Sequence, residues 1–557
     1  MPGGREPGAG THPNYSDAHQ DGTPNHGTPN HGTPNHGTQD HRTQNHRTED
    51  NRAQNHRIED NSAEGFGDLH PERAAQRVVV QLPRAGGGLP MSAPYRTPTR
   101  RGIELAMILA TTVVVACAEA VVEITRNNKL SSHVLTYAVV VLVIGGACHL
   151  AIRRTARYAD PILLPCAMLL VGLGLVMIHR LDLGLAQQAA ENGTTYTGVA
   201  AASQVVWAFL GLFVFLVVLF VVRDHRLLTR YAYTLALIGL FLLLLPAVLP
   251  AQYSEVNGAR IWIRIAGFSI QPGEIAKIAL TIFAAAYLVD KRDVLSLAGR
   301  RVIGIDLPRG RDLGPVLVAW LVSIGVLVRD HDLGTSLMFF GLFVVLLYVA
   351  TERVSWVIIG VLLFAGGCFV SYELFGTVKQ RVDVWLHVFS YLQDQGYQMS
   401  QSLFGLGTGG LFGAGLGGGR PELVPVAKSD FILSSFGEEL GLFGLVAILA
   451  VYVVFISRGF ATALAVRDSF GKLLVTGLSF SFGLQLFVVA GGISRLLPET
   501  GLTTPFLSYG GSSLIANFGL LALLLRVSDA ARRPPTTPPS AVTTDSGPIP
   551  TAAKGRR

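Results

Sequence analysis

Charged residues are scarce in this chain. Asp, Glu, Lys and Arg make up 15% of its 557 residues, whereas a typical soluble domain carries about 25%. The shortage is uneven, because the charges collect in the first hundred residues and in short loops between long apolar runs. This distribution excludes an ordinary soluble globular protein and is typical of a polytopic membrane protein.

Other features are also missing. The four cysteines lie inside apolar runs without the spacing of metal ligands, so we expect small buried apolar side chains, no disulfide and, from the cysteines, no zinc. No basic surface is interleaved with aromatic residues, which argues against nucleic acid as a partner. The first hydrophobic segment begins near residue 103, which is too late for a cleavable signal peptide.

Apolar segments fill the middle of the chain, and most are long enough to cross about 30 Å of hydrocarbon as helices. They lie at 103–122, 134–152, 160–178, 202–222, 231–250, 274–289, 313–328, 333–350, 354–374, 437–456, 472–492 and 507–526. The segments at 274–289 and 313–328 are short. We predict an all-α polytopic membrane protein with about twelve transmembrane helices and a large loop, 375–436, between the ninth and tenth.

Both ends of the chain are predicted to be disordered tails, at 1–100 and 531–557. A five-residue unit, GTPNH in its first copies, repeats from Gly22 to Asn61 with almost no apolar residues. Such a segment cannot offset the entropy cost of ordering its backbone. Translation beginning at Met91 is an alternative explanation for the first tail.

Positive charge separates the loops into two sets. If the amino terminus is cytoplasmic, the loops on the other side of the membrane are poor in Lys and Arg for their length. The longest of them holds only Lys379, Arg381, Arg420 and Lys428. The positive-inside rule therefore predicts that both termini are cytoplasmic and that the loop 375–436 is extracytoplasmic.

Polar segments interrupt the apolar pattern in four places, two of which precede the long loop. Within 257–277, Pro272 suits the first turn of a helix, and Glu274 and Lys277 share one helical face. They mark either a polar cavity or a structural ion pair between helices. In the segment RDHDLGTS, Asp332 either caps the following helix or contacts a substrate or cation.

The other two segments include the long loop. Its glycine-rich stretch 397–419 allows the backbone to approach a ligand or to turn back into the membrane. Asp430 stands between a polar Lys-Ser pair and an apolar Phe-Ile-Leu run, where partial desolvation would raise its basicity. It suits a general base acting on a hydroxyl group, or else a helix cap. The segment 500–513 suits close helix packing.

These segments, in this order and spacing, resemble one family. GARIWIRIAGFSIQPGEIAK resembles its GA-x-RW…QPSE-x-AK signature, DLGTS its PDLGTS turn with His331 in place of proline, SDFILSSFGEELG its TDFIF…GEELG, and TGLTTPFLSYGGSS its TGxPLPFxSYGGSS. The chain is thus similar to the RodA/FtsW/SpoVE (SEDS) family of peptidoglycan glycosyltransferases. Because that family has ten membrane helices, we assign an extra amino-terminal pair to 101–155 and the family core to 156–530. The addition resembles the actinobacterial RodA branch.

The resemblance implies an activity and a set of site residues. The expected enzyme polymerises lipid II into β-1,4-linked glycan strands at the outer face of a bacterial cytoplasmic membrane, releasing undecaprenyl pyrophosphate. Asp430 is the expected catalytic base. Expected substrate-binding residues are Arg260, Glu274, Lys277, Asp332, Arg381 and Gln401. A divalent cation, Mg or Mn, is an expected cofactor whose ligands are not assigned.

The resemblance also implies partners, and two rival interpretations stay open. Membrane lipids, the growing glycan strand and a class B penicillin-binding protein, a transpeptidase, are the expected partners. A RodA role in elongation and shape is favoured over an FtsW role in division. The rivals are a lipid II flippase, which many helices with charged residues near the membrane would equally suit, and a scaffold without catalysis.

Overall fold

The computed structural model describes residues 99–255, 260–265, 268–292, 300–302, 305–307 and 333–534, together with the single residues 318, 321 and 325. Most of the two predicted tails, 1–100 and 531–557, and most of the apolar segment 313–328 lie outside the described residues. Within the described ranges the chain is mostly helical, and the predicted all-α class is confirmed.

Fifteen α-helices lie within the described residues. They are α1 (Arg101–Asn127), α2 (His133–Thr155), α3 (Leu163–Glu191), α4 (Ala200–Val221), α5 (Leu227–Arg230), α6 (Ala232–Val248), α7 (Ala251–Ser254), α8 (Pro272–Asp290), α9 (Leu333–Thr351), α10 (Val354–Leu374), α11 (Gly376–Leu386), α12 (Tyr397–Gly409), α13 (Ile432–Ala465), α14 (Ser469–Ile493) and α15 (Gly511–Arg532). Two 3₁₀ turns span Val388–Tyr391 and Pro421–Leu423.

Two short antiparallel hairpins complete the described structure. In the first, β1 (Ile263–Ile265) pairs with β2 (Phe268–Ile270), with Arg264 opposite Ser269. In the second, β3 (Arg300–Val302) pairs with β4 (Ile305–Leu307). The first hairpin leads directly into α8, whose first residue is Pro272. The fixed φ angle of proline favours this first helical position.

Ten of the described helices are long and apolar enough to cross a membrane: α1, α2, α3, α4, α8, α9, α10, α13, α14 and α15. The apolar α6 is shorter, with 17 residues. Together they account for eleven of the twelve predicted segments, and the remaining one, 313–328, falls almost wholly outside the described residues.

The bundle is organised around α3, α14 and α15. In α3, 89% of the most apolar stretch is buried, against 6% in α10, so α3 is central and α10 peripheral. The pair α1 and α2 packs against α3, and α4 packs against α15. At Gly174 in α3 an added Cβ would lie 2.3 Å from the carbonyl oxygen of Leu507. Glycine therefore lets the chain before α15 reach the central helix.

The cysteines are only partly as expected. Cys148 and Cys166 are buried, whereas Cys117 in α1 and Cys368 in α10 are exposed. The expectation of four buried side chains is wrong for those two, because outward faces of membrane helices are as apolar as the core and accept a cysteine equally well.

The long loop contains α11 and α12 and a glycine-rich segment, residues 410–419, that packs against the first turns of α13. The amides of Ala414 and Gly415 donate to the carbonyl oxygens of Glu438 and Glu439, both at 2.9 Å. Gly413 has φ +83°, and a Cβ there would lie 2.2 Å from the oxygen of Glu439. These glycines therefore allow close approach to a neighbouring helix.

Candidate active site

A cavity of about 960 Å³ opens beside Asp430. Its walls come from α4, the β1–β2 hairpin, α11, α12 and the segments that precede α13 and α15. Among its polar lining residues are Arg381, Gln398, Asp430, Glu499 and Tyr509, and among its aromatic ones are Trp207, Trp262 and Trp385. A few convergent polar groups on aromatic walls are typical of a ligand site.

Asp430 faces this cavity from the chain just before α13. The N-cap residue of α13 is Phe431, and it has no side-chain capping bond, so the alternative interpretation of Asp430 as a helix cap is wrong. Burial raises the pKa of Asp430 above its usual value, although a hydrogen bond with Ser429 and the charge of Arg381 oppose the rise. The carboxylate is therefore a stronger base than a solvated aspartate.

The segment 500–513 fixes the backbone that presents Asp430. Ser508 Oγ donates to the carbonyl oxygen of Ser429 and accepts a bond from the amide of Thr504 at 2.8 Å. The amide of Tyr509 donates to the carbonyl oxygen of Lys428 at 2.8 Å. The sequence suggests that the segment 500–513 serves close helix packing. These hydrogen bonds show that it also positions the backbone next to Asp430.

The Lys428 side chain is fixed from the other side. Its Nζ donates to the carboxylate of Asp182 in α3 and to the hydroxyl of Tyr196. Tyr196 in turn donates to Asp182 at 2.8 Å. Asp430 thus follows a lysine anchored to the central helix, which limits the movement of the base.

Glu499 is a second carboxylate in the cavity, and sequence reasoning missed it. Gln398 Nε2 in α12 donates to Glu499 Oε1 at 2.7 Å. Burial, with the nearby charge of Asp430, raises the pKa of Glu499 to about 7. Its position immediately before the segment 500–513 was the available signal, because an acidic residue at a membrane boundary marks a polar cavity.

Arg381 also lines the cavity, as the resemblance led us to expect of a substrate-binding residue. It lies on α11, which is fastened to the segment after α14. Trp385 Nε1 donates to the carbonyl oxygen of Arg495 at 3.0 Å, and Arg495 Nε donates to that of Trp385 at 2.9 Å. This reciprocal pair of hydrogen bonds fixes α11, and the Arg381 guanidinium group on that helix acts on the carboxylates of Asp430 and Glu499.

Glu274 and Lys277 form a buried ion pair behind the cavity wall. Lys277 Nζ donates to Glu274 Oε2 and to Gln485 Oε1, each at 2.8 Å. Gln485 Nε2 donates to the carbonyl oxygen of Thr503, also at 2.8 Å, and Thr503 lines the cavity. Of the two interpretations left open by the sequence, this geometry favours the structural pair, which supports the wall.

The remaining expected site residues are placed elsewhere. Arg260 is exposed and pairs with Glu255 at 3.2 Å. Gln401 is half-buried on α12, but the cavity residues of α12 are Gln398 and Met399. Asp332 lies outside the described residues.

The cavity has a donor set that suits the divalent cation expected from the resemblance. Asp430 and Glu499 supply carboxylates within one cavity. Hard cations such as Mg²⁺ prefer carboxylate oxygens and keep some of their water. By type of donor, the two carboxylates therefore fit such a cation.

Comparison with known proteins places the chain in a family. Residues 161–533 match the model of the cell cycle protein family FtsW/RodA/SpoVE, which is more than half of the chain. The chain belongs to this family. A peptidoglycan glycosyltransferase RodA of Mycobacterium tuberculosis is 50% identical over 450 residues, covering 81% of this chain and 95% of the relative. That match is longer than 161–533, so it extends beyond the family region.

Other relatives are more distant. A probable peptidoglycan glycosyltransferase FtsW of a Geobacter species is 34% identical over 68% of this chain and 99% of the relative. A solved structure, described as the structural coordination of polymerization and crosslinking by a peptidoglycan synthase complex, is 28% identical with a TM-score of 0.53, covering 68% of this chain and 99% of that one. The expected family and enzyme class are confirmed, RodA is favoured over FtsW, and the chain is a multi-pass bacterial membrane protein.

Proposed function

We propose that this chain polymerises lipid II into β-1,4-linked glycan strands at the outer face of the cytoplasmic membrane, in a RodA-type role in elongation and shape. The observation that carries the proposal is Asp430, a carboxylate of raised pKa that faces a cavity of about 960 Å³ at the end of a membrane-spanning helix. A base so placed reaches the sugar of a substrate whose lipid stays in the membrane.

The reaction follows from the position of the charges. Asp430 takes the proton from the 4-hydroxyl of the acceptor sugar, and that oxygen attacks the anomeric carbon of the donor with inversion from α to β. The bond from that carbon to the pyrophosphate oxygen breaks, and undecaprenyl pyrophosphate leaves. Arg381 lines the same cavity and offers positive charge to the leaving group.

Other lining residues would hold the substrate. The indole rings of Trp207, Trp262 and Trp385 offer large apolar faces against which sugar rings pack. Gln398 keeps Glu499 in the cavity through its hydrogen bond. A divalent cation would be held by Asp430 and Glu499 and would add positive charge for the pyrophosphate.

The decisive experiment compares wild type with Asp430→Ala and Asp430→Asn, purified in detergent and supplied with lipid II. We expect polymerisation to fall by about 10²–10⁴-fold or more, the usual contribution of a general base. Glu373→Gln, which neutralises an exposed carboxylate at the end of α10, should polymerise like wild type. Retention of wild-type activity by both Asp430 variants would defeat the assignment.

The same assay separates the rival functions. A lipid II flippase has no product in detergent, where there is no membrane to cross, so glycan chains formed there require an enzyme. A scaffold without catalysis would give no chains from wild type either. The appearance of chains with wild type, and their loss with the Asp430 variants, therefore supports the glycosyltransferase against both.

We also propose a transpeptidase partner, a class B penicillin-binding protein. The support is the similarity to a chain of a peptidoglycan synthase complex in which polymerization and crosslinking are coordinated. The proposal expects lipid II polymerisation to rise when the cognate transpeptidase is added to the purified protein. The RodA relatives favour elongation over division as the cellular role.

A further inference from the structure

A cluster of four ionisable side chains lies where α1, α2 and α3 meet, and none of them lines the cavity beside Asp430. Glu119 and Glu123 are four residues apart on one face of α1. His179 projects from α3 between them, with Nε2 at 3.3 Å from Glu119 Oε1 and at 3.2 Å from Glu123 Oε1. His133, the first residue of α2, lies against His179 with ring centroids 4.8 Å apart.

Glu119 has few of the partners that a buried carboxyl group needs. Its side chain is 0% exposed, neither of its oxygens makes a hydrogen bond, and its ionic contact is with His179 at 3.3 Å. A buried carboxyl group without hydrogen bonds is costly, so such groups are normally paired, neutralised or bound to a metal. Glu119 and Glu123 moreover share the imidazole of His179.

Two of the distances are those of a tetrahedral metal centre. Metal–ligand bonds of about 2.0–2.2 Å place neighbouring tetrahedral ligand atoms roughly 3.3–3.6 Å apart, close to the distances from His179 Nε2 to Glu119 and Glu123. One ligand atom each of Glu123, His133 and His179 lies within 4.8 Å of the others. Glu119 joins this group of three through its contact with His179.

The surroundings also resemble those of a metal site. Asn127 Nδ2 donates to Glu123 Oε2 at 2.7 Å and so orients Oε1 toward His179, as the supporting residues of metal ligands do. The Tyr137 ring packs edge-on against His179 with centroids 5.3 Å apart. Exposure of His133 provides a path by which an ion enters.

We propose that Glu119, Glu123, His133 and His179 bind a divalent transition metal, with Zn²⁺ as the ion that best suits two imidazoles and two carboxylates. The cysteines take no part in this site. The metal joins the first two helices to the central α3.

The site is placed to stabilise more than the helix junction. Arg180, the residue after His179, is fully buried and donates to the side chains of Glu422 and Glu439 and to the carbonyl oxygen of Gly419. The metal would therefore fix α3 next to Arg180, the residue through which α3 binds the glycine-rich segment. We expect a structural role, read out as thermal stability.

The test uses the full chain in detergent, stripped with a chelator, dialysed and then supplied with ZnCl₂. Zinc per chain is measured by mass spectrometry of the metal after gel filtration, and the unfolding midpoint is measured with and without zinc. The variants are His133→Ala, which removes an exposed ligand and should fold, and Glu119→Gln, which removes the Glu119 carboxylate. His387→Ala, which removes an exposed histidine near α11, is the matched control.

We expect wild type and His387→Ala to bind one zinc ion more than either cluster variant, and only these two to gain thermal stability from zinc. All four proteins carry the same histidines in residues 1–70, so any zinc bound there cancels and the difference isolates the cluster. In addition, Co²⁺ should give wild type the intense visible absorption of a four-coordinate ion, lost in both variants. Equal zinc content in all four proteins, or a midpoint that responds to pH but not to zinc, would overturn the proposal in favour of a protonated His179 paired with the two carboxylates.

Discussion

Asp430 and Glu499 share one cavity, so ionisation of either carboxyl group opposes ionisation of the other. Burial raises the pKa of Asp430, and burial together with the charge of Asp430 raises the pKa of Glu499 to about 7. A base must be ionised to act, so polymerisation should fall as the pH drops through the pKa of Asp430. The positive charge of Arg381, which lowers the pKa of Asp430, holds that fall at a lower pH than burial alone would set.

Replacement of Arg381 by Gln should move the acidic limb of the pH–rate profile to higher pH. The positive charge of Arg381 lowers the pKa of Asp430, so Asp430 loses its proton less easily in the variant. Because Arg381 also lines the cavity, the position of the limb, not the maximal rate, is the readout. The measurement is the rate of lipid II polymerisation in detergent from acidic to neutral pH, with Glu373→Gln as the control. An acidic limb that stays in place, or moves to lower pH, would show that Asp430 does not sense the charge of Arg381.

A functional residue can be predicted from sequence when the residues next to it in the chain also form its surroundings in the fold. Asp430 lies between polar and apolar stretches, which predicts its boundary position. Glu499 and Gln398 are about one hundred residues apart in sequence and meet only through the fold. Arg260 occupies a position suggested by a motif, but its neighbour Glu255 pairs with it outside the cavity.

The stability of a helix depends on hydrogen bonds at its ends, and Asp468 supplies them at the start of α14. Its Oδ2 accepts a bond from the amide of Gly471 at 2.7 Å, and its carboxylate lies 3.0 Å from Nε2 of the buried His225. Although burial alone would raise it, hydrogen bonds from His225 and Gly471 hold the pKa of Asp468 below its usual range. The residue both caps α14 and ties it to the chain before α5.

Asp468→Ala should lower the unfolding midpoint in detergent, because loss of a helix cap costs roughly 1–2 kcal/mol and leaves His225 without its acceptor. Asp468→Asn should lower it less, since the amide oxygen can still cap the helix while the charge is lost. Thermal unfolding of wild type and both variants in one detergent measures the order. If both variants had the same unfolding midpoint as wild type, the Asp468 cap would contribute nothing to stability.

Apolar runs located the membrane helices but not their full lengths. The run at 160–178 became α3, which continues to Glu191, and the run at 437–456 became α13, which begins at Ile432. The extension of α3 contains Arg180, which pairs inside the bundle with Glu439 near the start of α13. A buried ion pair between helices offsets part of the cost that a hydropathy pattern assigns to each charge alone.

For the molecule as a whole, the remaining question is which side of the membrane holds the cavity. Asp430 and the long loop precede α13, whereas the turn that joins α13 to α14, residues 466–468, lies at the other end of the same membrane-spanning helix. These two regions must therefore lie on opposite sides. Arg458, Arg467 and Lys472 cluster around the turn, which the positive-inside rule assigns to the cytoplasm.

Single cysteines placed at Gln393 and Arg467, in a chain whose four native cysteines have been replaced, distinguish the two orientations. Both positions are exposed, and neither lies in a membrane-spanning helix, so each should react with a maleimide that cannot cross the membrane. We expect the Gln393→Cys chain to be labelled in intact bacteria and the Arg467→Cys chain only after lysis. The opposite pattern would put Asp430 on the cytoplasmic side, where lipid II polymerised by this chain could not enter the external wall, and the proposed function would fail together with the topology.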